Sequence, residues 1–344
     1  MKIVFFDIRE DETEAFGALC KGERKGKCQI ECTCKMLKET LNEQTVLTDE
    51  IKQAEVISCF TFSRVTENVL KQFPNLKLIA LRCVGFNHID VEYCRKNNIQ
   101  VLNSFGYGNI TVAEFAFALL FDVSRKVTRA YINLKEGELS KDFYTGFELN
   151  GKTIGIIGTG AIGTQAIRIA KGFGMNVLGY DPFPKKELVE KYQVKYVELD
   201  ELLKNSDVVS LHSPLTEDNF HLINEEKINL MKSTAVLINT ARGELIDSKA
   251  LYGALSENRI LGAGLDVLEA ENMITQPDTI LDFDYLTDDY IRQTLINERL
   301  LKLHNVVVTP HIAYNSKEAK ERIVSITMDN IDKFFQGEIQ NSVL

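Results

Sequence analysis

The chain has 344 residues, of which 44% are apolar and 26% are charged, and its formal net charge at pH 7 is −9. A chain of this length exceeds one ordinary hydrophobic core, so two domains are expected, and the negative charge argues against nonspecific binding to nucleic acid or to an anionic membrane. Every apolar run is shorter than the roughly 20 residues that a membrane-spanning helix needs, so no membrane segment is expected.

The N-terminal sequence and the cysteines bear on the cellular compartment. The first residues, MKIVFFDIREDE, lack the basic region, long apolar core and cleavage site of a signal peptide, which predicts a cytoplasmic protein. Seven cysteines, an odd number in a long chain, favour reduced thiols over a disulfide framework. Cys28, Cys32 and Cys34 lack the paired spacing and nearby histidine of a tetrahedral metal site, so we expect no metal and favour oxidation sensitivity. On a strand, Cys32 and Cys34 would share one face.

Three apolar runs in the first part of the chain predict buried strands, at Lys2 to Ile8, Glu55 to Phe62 and Leu76 to Cys83. Charged helical stretches separate them, and this alternation indicates an α/β protein with a doubly wound parallel sheet. Val84 and Gly85 follow the third run directly. Ligands of such sheets bind beyond the carboxyl ends of the strands, so both backbone amides are candidate anion donors, although spacing alone favours an ordinary strand-to-loop glycine.

The segment from Thr111 to Val123, TVAEFAFALLFDV, is apolar on nearly all sides. This pattern predicts a helix that is buried between two bodies and does not lie on a surface. We interpret it as the crossing between the domains and as a candidate dimer contact. Glu114 within it is interpreted as a polar contact or a helix cap, not as a catalytic acid.

A complete strand-helix-strand unit follows, in which an apolar run leads into GTGAIG and a second apolar run ends at Asp181. Gly158, Gly160 and Gly163 have the spacing GxGxxG. Gly158 permits a tight turn, Gly160 lets the backbone approach a pyrophosphate, and Gly163 lets helix and strand pack closely. The phosphates would bind unpaired amides at the positive end of the helix dipole.

Asp181 stands where a carboxylate can accept hydrogen bonds from an adenosine ribose. The same carboxylate would repel a 2′-phosphate, so NAD is favoured over NADP as the cofactor. A lone GxGxxG motif is weak evidence for a dinucleotide site. A glycine-rich turn without a ligand, or one that holds S-adenosylmethionine, can have the same spacing. The register of strand, helix, strand and terminal acid favours the dinucleotide.

The alternation of strands and helices continues after Asp181. Four further strands are predicted at Asp207 to His212, Ala235 to Asn239, Leu261 to Leu265 and Val306 to Val308. Chemically useful side chains follow the last three of these strands, namely Arg242, then Asp266 and Glu271, then His311. Because the carboxyl ends of parallel strands share one edge of a sheet, we expect these side chains to lie together over a nicotinamide.

These residue types suit the reduction of a 2-keto acid. The reaction requires a cation for the carboxylate and carbonyl and an acid that protonates the oxygen as hydride arrives, which are roles for Arg242 and His311. Glu271 would orient His311 and raise its pKa by stabilising the imidazolium. Each alone also fits a structural role, since arginines pair on surfaces and a single histidine is more often a satisfied polar residue. That structural interpretation is given to the other four histidines, His88, His212, His221 and His304.

The segment from Glu271 to His304, which contains LDFDYLTDD, is the least regular, and so long a connection in a compact domain usually covers a site. Whether residues 272–304 close during turnover stays open. The C-terminal helix has an apolar stripe that is expected to pack on the N-terminal domain, formed by Ala319, Ile323, Ile326 and Phe334.

The segments GTGAIG, HSPLT, NTARGELID, GLDVLEAE and TPHIA, in this order, resemble the D-isomer-specific 2-hydroxyacid dehydrogenase family over nearly the whole chain. The resemblance implies a flavodoxin-like substrate domain of residues 1–105 and 312–344, an inserted Rossmann-like NAD-binding domain of residues 106–311, and a homodimer. It implies that Arg242 binds substrate, that Glu271 assists, and that His311 is the acid in reduction and the base in oxidation.

The same resemblance implies further contacts. Val84 and Gly85 match backbone amides that bind the substrate carboxylate, and Tyr107, in YGNITVAE, matches a tyrosine near the substrate. Asp266 matches an aspartate that holds the nicotinamide carboxamide. The residues implied for the cofactor are Gly158, Gly160, Ala161, Ile162, Gly163, Asp181, Thr240, Ala241 and Asp266.

Within the family, the long segment between Glu271 and His311 resembles D-lactate dehydrogenases and related vancomycin-resistance reductases more than phosphoglycerate dehydrogenases, and Glu271 speaks against formate dehydrogenases. The expected reaction is the reduction of pyruvate to D-lactate with NADH. The alternatives are another 2-keto acid, such as 2-ketoisocaproate, phosphohydroxypyruvate or glyoxylate, or an NAD(H)-sensing protein like the corepressors of this fold. YGNIT replaces the usual YSP segment and Phe115 replaces a usual histidine, so the identity of the keto acid stays open.

Overall fold

The computed structural model describes residues 1–20, 32–137, 144–271 and 287–344. In chain order the strands are β1 Lys2–Phe5, β2 Thr33–Met36, β3 Val56–Cys59, β4 Leu78–Leu81, β5 Gln100–Leu102, β6 Thr153–Ile157, β7 Asn176–Tyr180, β8 Lys195–Tyr196, β9 Val208–Leu211, β10 Val236–Asn239, β11 Gly262–Leu265 and β12 Val306–Val308.

The helices, in chain order, are α1 Glu10–Cys20, α2 Asp49–Lys52, α3 Glu67–Leu70, α4 Val91–Lys96, α5 Asn109–Arg125, α6 Val127–Lys135, α7 Ala161–Gly172, α8 Lys186–Tyr192, α9 Leu199–Asn205, α10 Glu225–Ile228, α11 Ser248–Ser256, α12 Asp288–Leu301 and α13 Lys317–Phe335. Two short 3₁₀ helices lie at Glu217–Asn219 and Gly243–Leu245. None of the helices in the described ranges is both long enough and apolar enough to cross a membrane.

The chain divides into two compact units, Met1–Tyr107 with Ser316–Leu344 and Gly108–Asn315. The boundaries differ from those expected by a few residues, and hydrogen bonds explain the difference. Tyr107 belongs to the first unit because Arg322 Nε donates to its carbonyl oxygen at 2.6 Å. Residues 312–315 belong to the second unit, where the amide of Ile312 donates to Asp266 Oδ1 at 2.9 Å.

The first unit contains a parallel five-stranded sheet with the order β2-β1-β3-β4-β5. This order is that of flavodoxin-like folds, as the resemblance implied. The three predicted strands, β1, β3 and β4, occupy the middle of the sheet. The sequence did not predict β2 and β5, because both are short edge strands and β2 is only partly buried.

Helix α13 belongs to the same unit, where it packs against α1 and β4. The hydroxyl of Ser316 caps its first turn by accepting from the amide of Ala319 at 3.2 Å. Ala319 and Ile323 are fully buried. The apolar stripe that the sequence indicated therefore lies against the core of the unit that the N-terminal residues form.

The second unit contains a parallel seven-stranded sheet with the order β12-β11-β10-β9-β6-β7-β8. The chain builds outward from β6 through β7 to β8, then returns to the other side of β6 and builds outward again through β9 to β12. Ligands of such sheets bind where this reversal opens a crevice beyond the carboxyl ends of the strands, here between β6 and β9. The two-residue strand β8 was not predicted.

Helix α5 packs on the sheet of the second unit, against β10, β11 and β12. A Cβ atom at Gly264 of β11 would lie 2.9 Å from the Cβ of Leu119, so the absence of a side chain lets the helix approach the strand closely. Glu114 is exposed, in agreement with a noncatalytic interpretation. The all-round apolar pattern of this helix thus reflects close packing on glycine-containing strands.

The segment from Glu271 to His304 is more regular than the sequence suggested, because residues 288–301 form helix α12. Thr287 Oγ1 accepts from the amide of Tyr290 at 3.2 Å, and Asp288 and Asp289 lie in the first turn, where the helix dipole favours acidic side chains. The acidic residues of LDFDYLTDD were interpreted as irregular structure, but two of them stabilise a helix start. Residues 272–286 lie outside the described ranges.

Cys32 and Cys34 lie at β2 with their sulfur atoms 4.0 Å apart, as the two-residue repeat of a strand predicts. The expectation of reduced thiols is wrong for Cys34, which is disulfide-bonded. An odd number of cysteines requires one unpaired thiol but does not exclude a disulfide bond, which is why composition did not predict it. Cys28 lies outside the described ranges. Within those ranges, no group of three or more His, Cys, Asp or Glu side chains is arranged to hold a metal ion.

Candidate active site

The predicted catalytic side chains follow three strands that are neighbours in the second sheet. Arg242 follows β10, Asp266 and Glu271 follow β11, and His311 follows β12. All three strands are parallel, so these residues occupy one edge of the sheet. The charges of Glu271 and Asp266 act to raise the pKa of His311, and the charge of Arg242 acts to lower it.

His311 and Glu271 form the shortest link in this group, with His311 Nδ1 2.6 Å from Glu271 Oε1. Both side chains are partly exposed. Burial acts to lower the pKa of His311, but the hydrogen bond and charge of Glu271, together with Asp266, outweigh it, so this pKa is raised above its ordinary value. Since Nδ1 is held by Glu271, the other ring nitrogen, Nε2, points away and can serve a substrate.

Asp266 supports the backbone that carries His311. Its carboxylate, 1% exposed, accepts from Thr309 Oγ1 at 2.6 Å and from the amides of Ile312 and Ala313 at 2.9 and 2.8 Å. Burial raises the pKa of Asp266, and these hydrogen bonds act against the increase. The amide of His311 donates to the Asp266 carbonyl at 2.9 Å, which holds His311 at a left-handed φ of 54°.

Arg242 lies in a turn whose shape depends on Asn239, a residue that the sequence pattern did not single out. Asn239 is fully buried, and its amide group donates to the Arg242 carbonyl at 2.8 Å while its oxygen accepts from the amide of Ala241 at 2.9 Å. A Cβ at Gly243 would lie 2.1 Å from the carbonyl carbon of Leu268. The Arg242 turn therefore packs directly against the loop that carries Glu271.

The glycines of GTGAIG have the geometry of a phosphate-binding turn. Gly158 has a φ of 87°, and a Cβ there would lie 2.6 Å from the amide nitrogen of Ser213. A Cβ at Gly163 would lie 2.0 Å from the Gly158 carbonyl oxygen, so helix and strand touch at this position. A Cβ atom added at Gly160 would have no atom of the described residues within 4 Å. Gly160 directly precedes Ala161 and Ile162, the first two residues of α7. That open space at a helix N-terminus fits a pyrophosphate.

Asp181 is held in place at the end of β7. Its Oδ2 accepts from the amide and the hydroxyl of Thr159 at 2.6 and 2.9 Å, and its Oδ1 accepts from the amide of Phe183 at 2.8 Å. The hydroxyl of Tyr196 donates to Thr159 Oγ1 at 2.9 Å. Thr159 and Tyr196 were not singled out in the sequence, since only the folded chain brings them to the carboxylate.

Three buried polar atoms near the switch point have no hydrogen-bond partner among the described residues: Ser213 Oγ, Thr240 Oγ1 and His212 Nδ1. His212 and Ser213 follow β9, which pairs with β6, and Thr240 follows β10, the next strand beyond β9. Burial lowers the pKa of His212 to about 4, so its imidazole is neutral, and its Nε2 lies 2.9 Å from Ser210 Oγ. Buried polar atoms without partners are rare unless a ligand completes them. They fit the polar edge of a dinucleotide that reaches from Gly160 toward Ala241.

The remaining predicted contacts lie in the first unit. Val84 and Gly85 follow β4, and their turn is fixed because Asn103 Nδ2 donates to the Val84 carbonyl at 2.8 Å and Cys83 Sγ donates to the Gly85 carbonyl at 3.1 Å. Val84 is exposed, so its surroundings are open to a small ligand. Tyr107 is buried.

Comparisons with known proteins agree with this geometry. A family model described as the NAD-binding domain of D-isomer-specific 2-hydroxyacid dehydrogenases matches residues 117–313. The chain is 37% identical over 300 residues to a D-lactate dehydrogenase of Escherichia coli, covering 87% of this chain and 88% of that protein. It is 38% identical over 298 residues to a glyoxylate reductase of Korarchaeum cryptofilum, covering 86% and 83%.

Among solved structures, a D-lactate dehydrogenase from Aquifex aeolicus, complexed with NAD and lactic acid, superimposes with a TM-score of 0.83. The two sequences are 37% identical, and the match covers 98% of this chain and 96% of the other. The similarity therefore includes both units.

Proposed function

Because the chain belongs to the D-isomer-specific 2-hydroxyacid dehydrogenase family and is an NAD-dependent oxidoreductase, we propose that its substrate is pyruvate, which it reduces to D-lactate with NADH. The observation that supports this reaction is the 2.6 Å hydrogen bond between His311 and Glu271, close enough to Arg242 for its charge to act on His311. The choice of pyruvate is supported by similarity over both units to the Aquifex aeolicus D-lactate dehydrogenase.

In the proposed mechanism, the bound cofactor supplies the hydride that is added to the carbonyl carbon. Arg242 binds the substrate carboxylate through two parallel N–H donors and holds the keto group next to His311. The protonated His311 donates the proton on Nε2 to the carbonyl oxygen as negative charge develops there. Glu271 stabilises the imidazolium before the transfer and orients the ring. In the oxidation direction, neutral His311 accepts the hydroxyl proton.

The other predicted residues receive supporting roles in this proposal. The amides of Val84 and Gly85 donate to the substrate carboxylate, and Tyr107 borders the substrate. Asp266 and Thr240 contact the nicotinamide half of the cofactor, with Ala241 beside it. The amides of Ala161 and Ile162 bind the pyrophosphate above Gly160, and Asp181 binds the adenosine ribose and thereby selects NAD over NADP.

We also propose that the protein is a homodimer, located in the cytoplasm as the sequence predicts. An apolar face on helix α6 supports the homodimer: Val127 is 60%, Tyr131 58% and Leu134 61% exposed. None of the residues of this helix is buried within the chain. Exposed large apolar side chains on one helix are typical of an interface, and a second copy of the chain would cover them. Analytical ultracentrifugation tests the dimer, and replacement of Tyr131 and Leu134 with Lys should yield monomers.

A keto-acid panel tests the choice of substrate. NADH oxidation is followed with pyruvate, glyoxylate, phenylpyruvate, 2-ketoisocaproate and phosphohydroxypyruvate, and pyruvate is expected to give the highest kcat/KM. Glyoxylate is the second candidate, because the relative from Korarchaeum cryptofilum carries that activity and is equally similar. If glyoxylate exceeds pyruvate, the lactate assignment is wrong and the family assignment stands. If every acid fails while NADH binds, an NAD(H)-sensing role replaces the catalytic one.

A further inference from the structure

The turn that carries Glu271 contains an unfavourable backbone conformation. Ala270, immediately before Glu271, has a φ of 49°, in the left-handed region that residues with a Cβ atom rarely adopt. The amide of Leu268 donates to Glu271 Oε2 at 3.4 Å across the same turn. Such a conformation persists only where surrounding contacts impose it, so the contacts of the neighbouring Glu269 matter.

Glu269 binds three separate elements of the second unit. Its Oε1 lies 2.6 Å from His221 Nε2, and its Oε2 accepts from the amide of Ser248, at the start of α11, at 2.9 Å. Its backbone carbonyl accepts from Asn297 Nδ2, on α12, at 2.7 Å. The side chain of Glu269 is 12% exposed and Asn297 is fully buried, whereas His221 is partly exposed, so the contacts with α11 and α12 are the better shielded from water. The two contacts of the carboxylate and the one of the carbonyl together fix the backbone at Glu269.

His221 is itself fixed against the turn that carries Arg242. Its amide donates to the carbonyl of Glu244 at 2.9 Å, and its ring stacks on Phe220 with the ring centres 4.0 Å apart. His221 has no place in the proposed mechanism, and from sequence it was interpreted as a structural histidine. Glu244 is two residues from Arg242, and Glu269 is two residues from Glu271. The contact between His221 and Glu269 therefore links the turn that carries Arg242 to the turn that carries Glu271.

We propose that Glu269 and His221 are positioning residues that hold Ala270 in its left-handed conformation and so keep Glu271 within hydrogen-bond distance of His311. Neither touches substrate or cofactor in this proposal. Without the Glu269 contacts, Ala270 relaxes, Glu271 moves away and the His311 imidazolium loses its closest carboxylate. Two other charged groups face His311. Asp266 keeps its position because it binds the His311 loop directly, and Arg242 keeps its position because Asn239 holds its turn.

The inference rests on the proposed roles of Glu271 and His311, but its test does not need turnover. The pKa of His311 is measured by NMR in protein labelled at histidine, in wild type and in Glu269→Ala. The His311 pKa is expected to fall by about one unit, a tenfold change in the protonation equilibrium. The same titration in Glu257→Ala, which removes an exposed glutamate of the same unit that pairs with Arg259, is expected to match wild type.

A double variant separates positioning from general destabilisation. Glycine adopts a positive φ without penalty, so Glu269→Ala combined with Ala270→Gly should restore most of the His311 pKa and of the pH profile for keto-acid reduction. His221→Gln, which retains a donor toward Glu269, should shift the His311 pKa less than His221→Ala. Should Glu269→Ala fail to fold, the two partly exposed His221 variants provide the same measurement.

An unchanged His311 pKa in folded Glu269→Ala or His221→Ala, whatever their thermal stability, would overturn the positioning role. So would a lowered pKa that Ala270→Gly fails to restore, because the left-handed turn would then not be the link. A wild-type enzyme that binds NADH but reduces none of the keto acids would instead refute the proposed function. The His311 titration distinguishes the two failures, since it is made without substrate.

Discussion

His311 Nδ1 and Glu271 Oε1 lie 2.6 Å apart although 40 positions separate the two residues in the sequence. The strand order of the second sheet explains the proximity, because β11 and β12 are neighbours and each residue follows one of them. The pair makes His311 a stronger base than an isolated imidazole, so it is more fully protonated near neutral pH.

Replacement of His311 with Gln should reduce kcat for keto-acid reduction by about 10²–10⁴-fold, because the proton donor is lost. NADH affinity, measured by fluorescence titration, should stay near that of wild type. His304→Gln is a matched control, since His304 is an exposed histidine of the same unit. A His311→Gln enzyme with normal turnover would remove His311 from the mechanism.

Glu271→Gln should move the upper pH limit of reduction to lower pH. The pKa of His311 is raised in the folded protein, so its protonated form is complete below the ordinary pKa and is lost as pH rises through the raised value. Without the carboxylate, that loss begins at lower pH. The pH dependence of kcat/KM is compared with that of Glu298→Gln, which alters an exposed glutamate of α12. Identical profiles in both variants would contradict the role of Glu271.

Arg242→Lys should raise KM for the keto acid and lower kcat/KM by about 10- to 100-fold, since lysine cannot donate two parallel hydrogen bonds to a carboxylate. Arg299→Lys, which changes an exposed arginine on α12, is the control and should leave both parameters unchanged. A KM for NADH that rises while the keto-acid KM does not would place Arg242 at the cofactor instead.

Asp181→Ala should reduce the preference for NADH over NADPH by at least about tenfold, because the carboxylate that repels a 2′-phosphate is removed. Thr159→Val, which removes one of the hydrogen bonds to Asp181, should reduce the preference less. Dissociation constants for both cofactors are measured by fluorescence, with Asp200→Asn as a control at a partly exposed aspartate that pairs with Lys227. An unchanged preference in Asp181→Ala would show that another group excludes NADPH.

Three glycine-to-alanine variants separate folding from cofactor binding. Gly163→Ala should destabilise the fold by about 3 kcal/mol, since its Cβ would overlap the Gly158 carbonyl oxygen. Gly172→Ala has open space at the end of α7 and should stabilise by ~0.5–1 kcal/mol. Gly160→Ala should unfold normally in urea yet weaken NADH binding at least tenfold. Normal NADH affinity in Gly160→Ala would place the pyrophosphate elsewhere.

Local patterns predicted much of the second unit. The GTGAIG turn, β6 and β10 were located because the buried strands are continuous apolar runs and the glycines have a fixed spacing. The two-residue strand β8 and the edge strands β2 and β5 were missed, because they have too few buried residues to form a recognisable pattern. Helix α12 was missed because charged residues dominate its exposed surface.

The candidate site shows the same limit. Arg242, Glu271 and His311 follow predicted strands, so parallel-sheet topology was enough to bring them to one edge. Asn239 and Thr159 act through hydrogen bonds that only the folded backbone creates. The pairing of His221 with Glu269 joins residues 48 positions apart, and no local pattern indicated it.

The most direct test of the proposed reaction is to incubate the purified chain with pyruvate and NADH and to resolve the product by chiral chromatography. The proposal predicts one D-lactate for each NADH oxidised, and none in His311→Gln on the same time scale. L-Lactate, or NADH oxidation without lactate, would contradict it.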